Sequence, residues 1–144
     1  MFKCILIATD GSPLSDKAVA GAVELAKALG AKIIGYASLD RYPYASTAEF
    51  VVETPTDFRE HREAEAKAIL VAVEQVIKAA GVPYDYYISE NDMPYEGIIE
   101  AAEKMQCDLV VMASHGRSGL SAFLLGSETQ KVLTYSKIPV LVYR

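Results

Sequence analysis

The chain has 144 residues, 51% of them apolar, and carries 14 lysines and arginines against 19 aspartates and glutamates, for a net charge of −5. That length suits one domain, 1–144, whose core buries roughly two-thirds of the unfolded surface. The apolar share excludes disorder, the acidic balance excludes non-specific nucleic-acid binding, and no apolar run reaches the ~20 residues needed to span a membrane. An acidic protein can still hold a phosphate in a local nest of N–H groups.

Met1-Phe2-Lys3 leads directly into a short strand, without the apolar core or cleavage site of a signal peptide. Lys3 to Thr9 is a nearly continuous apolar run, as in a strand covered on both faces. Asp10-Gly11-Ser12-Pro13 breaks it, with Ser12 as a helix cap and Pro13 as first helical residue. Leu14, Ala18, Ala22, Leu25, Ala26 and Leu29 recur at helical spacing until Gly30. Lys32 to Ser38 is the second strand. Asp40 to Thr56 has two prolines and no period, and is expected to be a long loop of the kind that often carries function. A helix is predicted over Asp57 to Ala80, a strand over Tyr84 to Ser89, and a helix over Tyr95 to Met105. Leu109 to Ala113 is the fourth strand, Ser127 to Tyr135 the last helix, and Ile138 to Tyr143 the fifth strand. Cys4 and Cys107 stand at strand edges among apolar residues and read as reduced core thiols, so the expected compartment is the cytoplasm.

Strands alternating with helices imply an α/β fold: an open five-stranded parallel sheet, order 3-2-1-4-5, with helices on both faces. The winding reverses between the first and fourth strands, and ligands of such sheets sit outside the carboxyl ends at that point. The crevice is therefore expected between Ala8-Thr9-Asp10 and Met112-Ala113-Ser114.

Leu109 to Ser127, LVVMASHGRSGLSAFLLGS, reads as a buried strand, a glycine-containing loop and a helix start. The first N–H groups of a helix have no intrahelical partner, its dipole adds about half a positive charge there, and glycines admit a ligand close to the backbone. From Ala113 the pattern is Ala, two residues, Gly116, nine residues, Gly126, Ser127. This resembles the nucleotide-binding branch of the universal stress protein family, whose G-2x-G-9x-G-[S/T] motif follows the fourth strand. Ala113 stands where that motif has its first glycine. Phe2 to Ser12, FKCILIATDGS, resembles the family's first strand and aspartate turn, and Ile138 to Tyr143, IPVLVY, its last strand.

The resemblance implies a Rossmann-like fold and ATP as ligand, with Mg²⁺ or Mn²⁺ bridging the phosphates. It implies a nucleotide-dependent role in stress sensing and a homodimer paired through Ile138 to Tyr143, a strand whose apolar edge invites pairing on physical grounds too. Thr9, Met112 and Ala113 border the crevice. Asp10 either satisfies its own turn or accepts a hydrogen bond from the ligand's ribose or adenine. Gly116, Gly126 and Ser127 are the phosphate candidates, with Ser127 otherwise a plain helix cap. Glu128 shares that first turn, and Thr129 offers a further hydroxyl. Arg117 is a cation able to grip phosphate oxygens, or else a solvated side chain. Ala122 stands where many family members carry a second basic residue. His115 is a loop residue beside the phosphates, and Ser38 matches a family position lining the adenine pocket. Glu60 to Lys67, EHREAEAK, reads as a solvated helix face.

No Walker motif, G-x-G-x-x-G after a strand, nucleophile elbow or His/Cys metal spacing occurs. A receiver-type acidic cluster is not assembled either, since the first strand offers only Asp10. The alternatives to an ATP-dependent sensor are a dimeric interaction module of the same family that binds no nucleotide, and a slow ATPase.

Overall fold

The computed structural model describes residues 1–42, 53–116 and 125–144. Arg117, Ala122 and most of the expected loop from Asp40 to Thr56 lie outside the described residues.

Nine elements alternate: β1 (Cys4–Ala8), α1 (Pro13–Leu29), β2 (Lys32–Leu39), α2 (Pro55–Ala79), β3 (Tyr84–Glu90), α3 (Pro94–Lys104), β4 (Leu109–Ala113), α4 (Ser127–Tyr135) and β5 (Val140–Tyr143). The strands are all parallel, in the order β3-β2-β1-β4-β5. The expected order 3-2-1-4-5 and the helices on both faces are thus what the chain adopts.

Successive side chains of a strand point to opposite faces. Ile5 and Ile7 of β1, with Leu109 and Val111 of β4, join Ala18, Ala22 and Ala26 of α1 and Val73 and Ile77 of α2 in one core. Cys4 and Leu6, with Val110 and Met112, join Ile98 and Ala101 of α3 and Val132 of α4 in the other. Both faces of the central strands are therefore closed, which is why they read as unbroken apolar runs. Cys4 and Cys107 are free thiols with sulfurs 3.1 Å apart, and burial holds the Cys107 thiol well above its ordinary pKa.

Most boundaries fall within one residue of expectation, and two differ by two residues, each for a local reason. α2 begins at Pro55, not Asp57: Thr54 Oγ1 accepts the Asp57 N–H at 3.1 Å, so Thr54-Pro55 is a cap followed by a first-turn proline. β5 begins at Val140, not Ile138, because Pro139 has no N–H to give the ladder and offers only its carbonyl, to Val110 N–H at 3.0 Å.

α3 lies tight against the sheet at Gly97. A Cβ there would run into the Tyr36 hydroxyl and stand 2.6 Å from Asn91 Oδ1. Tyr36 is 1% exposed, its hydroxyl is hydrogen-bonded to Ser89 Oγ at 2.9 Å, and burial raises its pKa.

Candidate functional site

A cavity of about 700 Å³ opens at the carboxyl ends of β1, β2 and β4. This size falls in the range of small-molecule sites, about 300–1,000 Å³. Its three strand ends span two inter-strand spacings, about 10 Å.

The wall at β4 is built by the start of α4. Gly126, not Ser127, is the cap residue of this helix, and no side chain caps it. The Gly126 N–H donates to Ser114 O at 2.7 Å, and the Gln130 N–H makes the first intrahelical bond, to Gly126 O at 3.0 Å. The helix therefore leaves the N–H groups of Ser127, Glu128 and Thr129 without intrahelical partners. All three residues line the cavity. The Thr129 hydroxyl donates to the carbonyls of Ala113, at 3.0 Å, and Ser114, at 3.2 Å. Its single hydrogen is thus used to pin α4 to β4, and what Thr129 offers the cavity is its N–H. The Glu128 carboxylate accepts the Tyr95 N–H at 2.9 Å and pairs with Lys131 at 3.1 Å, so it caps α3 and its charge is partly offset.

Gly126 has little room for a side chain: a Cβ would lie 3.0 Å from Ser114 O and 3.2 Å from His115 Cα. At Gly116 the neighbour is a side chain: Asp10 Oδ2 would be 2.5 Å from a Cβ. His115 Nδ1 lies 3.2 Å from Ser114 Oγ.

The β1 end is a knot of short-range hydrogen bonds. Asp10 Oδ1 accepts the Ser12 N–H at 2.9 Å, and Ser12 Oγ in turn accepts the Ser15 N–H at 3.3 Å. Thr9 Oγ1 accepts from Ser15 Oγ at 2.7 Å and from the Gly11 N–H at 3.3 Å. Asp10 thus forms the turn, and its other carboxylate oxygen lies against Gly116 at the cavity wall.

Thr9, Asp10, Ser38, Met112, Ala113, His115, Gly116, Gly126, Ser127, Glu128 and Thr129 all line this one cavity. Arg117, the twelfth candidate, is outside the described residues. The sequence reading missed the third wall. Arg62, Glu65, Ala66 and Ile69 of α2 line the cavity as well, although the charge pattern of EHREAEAK predicts a solvated face. The available signal was the buried stripe Ala66, Leu70, Val73, Ile77: one turn before Ala66, the same stripe falls on residue 62.

Arg62 is the described cation among these lining residues. Its Nη1 donates to Glu65 Oε2 at 3.1 Å, and its guanidinium stands over Phe58, 5.3 Å from the ring centre. Ser38 Oγ and Arg62 Nε are enclosed and find no hydrogen-bond partner among the described residues. Among those residues no group of three His, Cys, Asp or Glu is placed to hold a metal ion. No described helix is long and apolar enough to cross a membrane.

The family model described as the universal stress protein family matches residues 1–144. The chain is 32% identical over 145 residues to universal stress protein MJ0531 of Methanocaldococcus jannaschii, covering 100% of this chain and 83% of that protein. Its fold superimposes on the solved structure of hypothetical protein MJ0577 of the same organism with a TM-score of 0.85 at 28% identity, over 99% of this chain and 96% of that one. A universal stress protein solved in complex with cAMP gives a TM-score of 0.73, also at 28% identity, over 99% and 97% of the two chains.

Proposed function

This chain belongs to the universal stress protein family, and on that footing we propose that its cavity binds ATP and that the bound state is the signal of a nucleotide-dependent stress regulator in the cytoplasm. The observation that carries the reading is the start of α4: a helix with no side-chain cap, opening into a cavity beside a glycine where a Cβ would be tightly crowded. The N–H groups of Ser127, Glu128 and Thr129 take phosphate oxygens there. Asp10, one strand over on β1, takes a ribose hydroxyl. The base reaches the β2 end beside Ser38. The relative solved with cAMP binds an adenine nucleotide on the same fold, which favours adenine here. Ala113 is 8% exposed and keeps its carbonyl on the Thr129 hydroxyl, so its methyl group fits where the family motif has glycine.

The enclosed, unpartnered Ser38 Oγ and the Gly126 cradle fit a nucleotide. With no three-ligand cluster among the described residues, Mg²⁺ or Mn²⁺ would be held chiefly by the phosphates, whose charge it would offset. The residues themselves bind and orient: N–H donors for phosphate, and a carboxylate for the sugar.

Thermal unfolding tests this. ATP with Mg²⁺ at a hundred times its Kd adds about 2.7 kcal/mol, which raises the Tm by about 5–10 °C in a domain of this size. GTP at the same concentration should shift it less. No shift at millimolar ATP would leave the family's other role, a dimeric interaction module without nucleotide.

The homodimer is part of the proposal. β5 is the last strand in the sheet order, pairs among the described residues only with β4, and carries Leu141 at 36% exposure. Such an edge is a template for a second copy. Sedimentation at micromolar concentration should give the mass of two chains; the mass of one would remove the β5 pairing.

A further inference from the structure

We propose that Arg62 reads the base of the bound nucleotide and sets its affinity independently of the phosphates. The inference rests on the nucleotide reading above and deepens it.

Arg62 comes from α2, not from the strand ends or the loop after β4. Phe58 beneath its guanidinium and Glu65 at Nη1 fix the group from two sides. Its Nε remains enclosed without an acceptor among the described residues. A buried donor without a partner is costly, and in a native protein such a group calls for a missing acceptor. The second such atom is Ser38 Oγ, and both residues line the same cavity. They approach the β2 end from different sides: Ser38 shares its strand face with Tyr36, which packs toward α3, whereas Arg62 belongs to the helix packed over Ala37 and Leu39.

The phosphate donors of α4 lie at β4, two strands away, about 10 Å. A nucleotide whose phosphates occupy α4 therefore brings its base, not its phosphates, to Arg62. A purine offers ring nitrogens as acceptors and exocyclic groups that a hydroxyl such as Ser38 can meet. The Nε–H of a guanidinium can donate to a ring nitrogen. A lysine ammonium on a flexible stem does not reproduce that fork.

Isothermal titration of Arg62→Gln and Arg62→Lys against AMP, ATP and tripolyphosphate is the test. Both variants should weaken AMP and ATP by the same factor, about tenfold, equivalent to about 1.4 kcal/mol, while tripolyphosphate binds as it does to the unaltered protein. Unchanged AMP affinity in both variants would overturn the proposal. So would a matching loss with tripolyphosphate, which would make Arg62 a phosphate contact. If the unaltered protein takes up neither AMP nor ATP, the nucleotide reading itself falls and this inference with it. That result differs from the other two because it appears before any substitution is made.

Discussion

Replacing Gly126 with valine should eliminate measurable ATP binding, a loss of more than about a hundredfold, or ~2.7 kcal/mol and above. A first Cβ already stands 3.0 Å from Ser114 O and 3.2 Å from His115 Cα, both main-chain atoms with no rotamer to move into. Two further methyl groups force the start of α4 away from β4. That displacement breaks the 2.7 Å bond from Gly126 N–H to Ser114 O and moves the N–H groups of Ser127, Glu128 and Thr129 out of register together. Several donors lost at once exceed any single side-chain contact, because charge-assisted bonds to phosphate are among the strong ones. Titration calorimetry reads the loss, and circular dichroism of the variant confirms that the fold is retained. Gly126→Ala should fall between the two, since its single methyl group meets contacts that a few tenths of an ångström relieve. Full ATP affinity in Gly126→Val would refute the phosphate site.

Gly97→Val should act on stability. Its Cβ would occupy the place of the Tyr36 hydroxyl, and Tyr36 is 1% exposed and bonded to Ser89. Moving the Tyr36 ring breaks its bond to Ser89 and disturbs the core under α3. Overpacking of this kind costs about 2–3 kcal/mol, which lowers the Tm by about 4–12 °C at this chain length. Thermal denaturation without ligand is the measurement. An unchanged Tm would mean that the ring swings aside freely and that α3 is not held at the distance described. Both sites are glycines at a close approach, yet one variant is expected to lose ligand and the other stability.

Much of this was legible before any coordinates. Apolar runs such as CILIA and LVVMA announce strands covered on both faces, and Asp10, Gly116 and Gly126 mark the ends at which a parallel sheet opens. The alternation of elements then leaves few topologies. What escaped was long-range. Arg62 sits in a run of charges whose local pattern, EHREAEAK, fits a solvated helix, and only the packing of Ala66 and Leu70 on β2 turns that face toward the cavity. The bonding of Thr129 is long-range too: its hydroxyl hydrogen goes to the carbonyls of Ala113, at the end of β4, and Ser114, just beyond it, 16 and 15 positions away. Ser127 was weighed as the cap because serine favours that place, whereas the bond from Gly126 to Ser114 shifts the cap back by one.

That bond has a further consequence. By joining residue 126 to residue 114 through the main chain, the fold itself closes the intervening loop. The length-dependent part of that closure entropy, about 2 kcal/mol for a dozen residues, is met before any ligand arrives. A ligand at α4 therefore finds the two ends already joined. Doubling the loop would add only about 0.6 kcal/mol, a small fraction of a typical folding free energy. The nine residues between Gly116 and Gly126 are thus not a length that stability demands. Chain entropy would tolerate many other lengths.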